Sequence, residues 1–126
     1  MPETIVFISN QRIKEGKFAE YQQYYHQVAE MTEASKPGTF AHLAYASENG
    51  SKVSIVHIFP DAEAMQQHMQ GVGELAQKAY EFMDIISIEI YGKPSEAVLE
   101  AMMKIAGSGV TLSVKPQPIG GYIRFK

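Results

Sequence analysis

Three histidines and an asparagine are the residues whose types and spacing could do chemistry in this chain: His42, His57, His68 and Asn10. The stretches "TFAHLAYAS" and "KVSIVHIF" read as two strands joined by "ENGS", and Asn-Gly between apolar runs is a strong hairpin signal. A two-residue type I′ turn at Asn49-Gly50, or a four-residue loop Glu48–Ser51, sets one and the same register. His42 then lies directly opposite His57, with Cβ atoms about 4.5–5.5 Å apart, flanked by the pairs Phe40–Phe59 and Ala44–Ile55. Two imidazoles so close in apolar surroundings resist double protonation, because desolvation and mutual repulsion both favour the neutral form. Such a pair could act as base and orienter, hold a divalent metal with a third ligand, or simply meet at a subunit interface. No His-x-His or carboxylate motif supplies further ligands, so no metal is expected.

His68 sits three residues after Met65, on the flank of a helical apolar stripe that continues through Met69, Val72 and Ala76. It is either a core histidine bonded to a carbonyl or a pocket residue that moves a substrate proton. Asn10, near the end of the first strand, could donate to a substrate oxygen or could be a turn residue. Tyr21, Tyr24 and Tyr25 fill space yet keep polar tips, which suits a pocket wall. Glu89 points away from an isoleucine face and is a candidate interface residue or general base. Gly120-Gly121 reads as a tight turn, since no helix follows to make a phosphate loop.

These residues need elements to position them. "TIVFISNQ" (Thr4–Gln11) is apolar on both parities and reads as a strand covered on both sides. Phe18, Tyr21, Tyr25 and Val28 mark an amphipathic helix that Lys36-Pro37-Gly38 ends. The hairpin follows, then Pro60-Asp61, where Asp61 can cap a second helix. Gly71 and Gly73 predict a kink or break in that helix. "DIISIEIYG" is a fourth strand with Ile86, Ile88 and Ile90 on one face. Strand, helix, strand, strand, helix, strand is the ferredoxin-like α+β arrangement, with both helices on one face of an antiparallel sheet.

Beyond this unit, taken as residues 1–92, a tail of residues 93–126 opens with Pro94-Ser95 and a short helix that Gly107 and Gly109 end. "VTLSVKPQPIGGYIRF" reads as an irregular hairpin or arm. Its apolar residues, including Ile119, Ile123 and Phe125, predict packing on the same subunit or across a dimer. The uncovered face of the sheet calls for an isologous partner, so a homodimer is expected.

Size and composition agree with one globular domain: 126 residues, 45% hydrophobic and 20% charged. A net charge of −3, with no basic stripe carrying interleaved aromatics, argues against nucleic acid and anionic membranes. There is no cysteine, hence no disulfide or thiolate metal site. The N-terminal apolar run is too short for a signal peptide or membrane span, so a cytoplasmic, full-length chain is expected.

Over Ile5–Tyr91 the sequence resembles the antibiotic biosynthesis monooxygenase-like family of the dimeric α/β-barrel superfamily. Gly16 is similar to the family's glycine between first strand and helix, and Pro37-Gly38 to the pair introducing its second strand. Phe59 stands where the family usually has tryptophan, and His68, nine residues on, falls on the histidine of its "ALxxH" helix. The chain departs from the pattern at His57, where glutamate is frequent, at Val72 in place of a second histidine, and in having no tryptophan. The resemblance implies a dimeric α/β barrel with a small pocket between helices and sheet, lined by Tyr21, Tyr25, Phe59 and Met65. It implies monooxygenation of a quinol-like or aromatic molecule with no cofactor, His68, His57 or His42 serving as base and Asn10 as donor. A non-catalytic ligand-binding or stress-associated protein of the same fold is the alternative. Haem binding or degradation is a third: the missing tryptophan argues against a haem degrader, though His68 could still serve as an axial ligand.

Overall fold

The computed structural model describes residues 3–71, 73–106 and 109–124. In chain order it runs β1 (Ile5–Ile13), α1 (Phe18–Ser35), β2 (Ala41–Ala46), β3 (Lys52–Phe59), α2 (Ala62–Met69), α3 (Gly73–Ala79), β4 (Met83–Tyr91), α4 (Glu96–Ala106) and β5 (Thr111–Lys115). The strands form one sheet in the order β2-β3-β1-β4-β5. The first four are antiparallel, as expected for the ferredoxin-like unit, and β5 joins β4 in parallel.

Alternation sorts the side chains of β1. Ile5, Phe7, Ser9, Gln11 and Ile13 are buried, and the residues between them are half-buried or exposed. β3 follows the same rule with Val53, Ile55, His57 and Phe59 inside. On β4 the rule is interrupted. Ser9 pairs with Ile88 and Asn10 with Ser87, but Gln11 pairs with Ile85, so Ile86 is the extra residue of a bulge. Ile85 therefore continues the inner face below Ile88 and Ile90, where the sequence pattern pointed to Ile86.

The hairpin has the expected register: Ala41↔Ile58, His42↔His57 and Ala44↔Ile55. Its turn is the four-residue loop. The Ser47 amide donates to the Lys52 carbonyl and the Gly50 amide to that of Ser47, both at 2.9 Å. Gly50 alone in the loop takes a positive φ, +71°, which excludes type I′, where both central residues would need one. Asn49 Oδ1 accepts from the Ser51 amide and from the Ser47 and Ser51 hydroxyls, closing the loop on itself. The outermost pair is not made. The ladder starts at Ala41, and Phe40 is 68% exposed while Phe59 is wholly buried.

Asp61 caps α2 by accepting from the Ala64 amide at 2.8 Å. The helix breaks after Met69 as expected, with Gly71 at φ +76°. Val72, Gly107 and Phe125 lie outside the described residues. Ser95 Oγ accepts from the Val98 amide at the start of α4, whose Val98 and Met102 enter the core. The segment read as a hairpin is a single strand, β5, with no regular structure over residues 116–124. Val110, Leu112 and Val114 pack on the core, whereas Ile119 is fully exposed.

Two hydrophobic clusters hold the helices to the sheet. One gathers Ile5, Phe59, Met65, Ile90, Val98 and Met102, and the other Ile13, Tyr21, Val53, Phe82 and Met83. The outer face keeps Val6, Ile8, Val56 and Ile58 only half-buried, with Leu43 46% and Tyr45 62% exposed. Among the described residues, no helix is long and apolar enough to cross a membrane.

Candidate functional site

Between the helices and the sheet lies a cavity of about 220 Å³, walled by β1, β3, β4 and all four helices, with His42 of β2 at its edge. The three histidines named from the sequence meet there. The hairpin register places His42 beside His57, ring centroids 4.5 Å apart, and the cap at Asp61 turns α2 so that His68 faces both. Its ring is 5.4 Å from that of His57 and 5.7 Å from that of His42. The fourth histidine, His26, stands apart from the group against Tyr25.

Each of the three rings is oriented through Nδ1. His57 Nδ1 donates to the Phe7 carbonyl at 3.1 Å, which fixes its tautomer and leaves Nε2 as the lone-pair nitrogen. Tyr25 Oη donates to the His42 carbonyl and lies 2.8 Å from His42 Nδ1. Having spent its only proton, the phenol accepts from Nδ1–H, so His42 also presents a bare Nε2. Thr39 Oγ1 holds His68 Nδ1 at 2.7 Å. Among the described residues no buried side-chain nitrogen or oxygen lacks a partner, and all three rings line the cavity.

Burial dominates the electrostatics. It holds His57 well below the ordinary histidine value, with the neighbouring His42 adding to the effect. Burial likewise lowers His42, and brings His68 down to about 4 with help from His42 and Lys36. All three imidazoles are therefore neutral at pH 7. Burial also raises the Tyr21 and Tyr25 phenols, which stay protonated. The arrangement offers three neutral imidazoles in an aromatic-walled cavity, capable of taking a proton or binding an acidic hydroxyl.

The remaining candidates divide. Tyr21 and Tyr25 line the cavity. Met65 is wholly buried in core contacts, and Phe59 lies behind the site, stacked on the His57 ring at 6.1 Å and tilted against that of His68 at 5.3 Å. Asn10 is on the other face of the sheet, because the inward parity of β1 belongs to Phe7, Ser9 and Gln11. Its amide donates to Ser87 Oγ and Glu89 Oε2 at 3.0 and 2.9 Å and accepts from Ser54 Oγ at 2.6 Å. Glu89 shares that outer network, where the Tyr91 hydroxyl and then Asn10 hold its carboxyl below the usual range. Neither Asn10 nor Glu89 reaches the cavity.

Sequence reasoning missed the polar residues that replace them. Tyr21 Oη donates to Gln11 Oε1, and Gln11 Nε2 to Ser9 Oγ at 3.1 Å, a relay along the cavity floor. Ser9 and Gln11 share Phe7's parity, and Phe7 pairs with His57, so the β1–β3 register was the signal needed. Thr39 precedes the strand and carries no motif.

No family model and no curated protein sequence matches the chain. Solved structures do. MupZ from Pseudomonas fluorescens superposes with a TM-score of 0.70 at 20% identity, covering 94% of this chain and 95% of that one. A protein from Bacteroides thetaiotaomicron, provisionally named an antibiotic biosynthesis monooxygenase, gives 0.65 at 16% identity over 98% and 97%. SnoaB, a cofactor-independent oxygenase from Streptomyces nogalater, gives 0.62 at 14% identity over 74% and 95%. The chain thus has the α+β fold of the antibiotic biosynthesis monooxygenase-like proteins.

Proposed function

We propose that the protein is a cytoplasmic homodimer that binds a small aromatic, quinol-like molecule in each cavity and oxygenates it without a cofactor. One observation carries the reading: three neutral imidazoles in mutual ring contact line a cavity walled by aromatic rings and protonated phenols. A cavity of about 150 Å³ suffices for benzene. The 220 Å³ here suits one ring with substituents or a compact bicycle, and is too small for a haem macrocycle. A histidine Nε2 removes a hydroxyl proton, and the resulting anion donates an electron to dioxygen in a dry site. The anion in turn stabilises the imidazolium beside it, offsetting the burial that keeps the ring neutral in the free protein.

The fold of SnoaB and its kin supports oxygenation as the chemistry. The half-covered outer face, where Leu43 and Tyr45 stand exposed beside Val56, supports dimerisation. Oxygen uptake with small hydroquinones is the test. Uptake of one dioxygen per hydroxyquinone formed, the product carrying one oxygen atom from labelled dioxygen and the other leaving as water, and a rate depressed at least tenfold in His57→Gln and His68→Gln, is the expected result. Uptake no faster than the uncatalysed reaction, with binding retained, would instead leave a non-catalytic ligand-binding protein.

A further inference from the structure

We propose that His42, His57 and His68 form a three-nitrogen site for a divalent transition-metal ion of the zinc type, with one coordination position open to the cavity. One ligand nitrogen from each ring lies within 4.8 Å of the others. A tetrahedral ion with metal–nitrogen bonds of about 2.0–2.1 Å needs neighbouring nitrogens about 3.3 Å apart, so modest ring rotations close the site. The hairpin and the α2 cap already set the three side chains around one point.

The outer hydrogen bonds are those a histidine metal site requires. A ligating imidazole normally engages its second nitrogen with a carbonyl, carboxylate or hydroxyl, which fixes the ring and raises its basicity. Here the Phe7 carbonyl, Tyr25 Oη and Thr39 Oγ1 perform that task on the three Nδ1 atoms, leaving one Nε2 per ring for the ion. Three neutral nitrogens and no carboxylate select against magnesium and calcium, which take oxygen ligands. Three protein ligands rather than four make an open site, to which water or a ligand hydroxyl could bind.

His42 and His57 were legible as a possible metal pair, but the third ligand was not, because it comes from a helix beyond the hairpin rather than from a His-x-His pattern. This inference concerns the ion alone and does not rest on the quinol reading. Ion and proton transfer draw on the same lone pairs, so loading would change what the cavity can do. The test therefore reads binding and not turnover.

Tag-free protein is titrated with cobalt(II) and zinc(II). One equivalent of cobalt per chain should give the visible absorption of a tetrahedral ion, and zinc should displace it. Excess magnesium or calcium should produce no change. His68→Gln and His42→Gln should weaken binding at least tenfold, and Tyr25→Phe and Thr39→Val should weaken it by about tenfold or more. His26→Gln should leave it unchanged. Absence of saturable cobalt absorption in the unaltered protein would overturn the proposal whatever the variants do. So would binding that survives in folded His68→Gln but disappears in His26→Gln.

Discussion

The two faces of the sheet carry polar clusters of opposite character. Inside, three histidines, Gln11, Ser9 and two tyrosines are drawn into an apolar cavity and held neutral by burial. Outside, Asn10, Ser54, Ser87, Tyr91 and Glu89 form a network around a carboxylate that hydrogen bonds keep charged. The residues differ by a single step along β1, from Ser9 to Asn10. Strand parity, more than residue type, decides which polar groups are available for chemistry and which bind the sheet together.

The largest expected effect is on the inner wall. Phe59→Ala removes a wholly buried ring packed against His57 and His68, and should cost about 3–5 kcal/mol in denaturant unfolding. Asn10→Ala should cost distinctly less, since its partners are only half-buried. Equal losses would erase the contrast between the faces.

The pH dependence separates the faces further. His68 is lowered in the folded, metal-free protein from 6.5 to about 4, so the unfolded chain binds its proton first. Stability is complete above pH 6.5, falls as pH drops toward 4, and then levels, a loss of about 3 kcal/mol from this residue. His42 and His57 shift the same way and steepen the fall. Glu89 has linkage of the same sign in a more acidic window: its contribution is present above 4.5 and is lost only as pH falls through its lowered value. Urea midpoints measured across pH should show the histidine window shrink in His68→Gln and persist in Asn10→Ala.

Oligomeric state probes the outer face alone. Val56→Asp puts an unpaired charge beside Ile8 and Leu43 and should weaken self-association by about 2–3 kcal/mol, read by sedimentation. The histidine cluster should be untouched. The smallest effect is at the turn. Gly50→Ala forces a side chain into a left-handed conformation and brings its Cβ 3.1 Å from the Phe18 ring, a loss of about 1–2 kcal/mol in thermal unfolding.

Much of this was legible in the sequence where a local rule was sufficient. Asn49-Gly50 set the register that pairs His42 with His57, and Pro60-Asp61 marked the helix that brings in His68. What failed needed pairing between distant strands. Asn10 was misplaced because both parities of β1 are apolar near its start, so alternation could not choose an inner face. Ile86 was misplaced because nothing in "DIISIEIYG" signals a bulge. The meeting of His68 with the pair depended on a helix crossing the sheet, and β5 on a parallel partner that a short strand does not announce.

The central claim is that three neutral imidazoles share one cavity, and nitrogen-15 NMR of the histidine rings tests it most directly. At pH 7 in metal-free protein, His57 and His42 should show the Nδ1–H tautomer, His68 should be neutral, and a small hydroquinone should shift all three while sparing His26. A protonated ring among the three, a proton on Nε2 of His57, or a ligand shift confined to His26 would contradict the account.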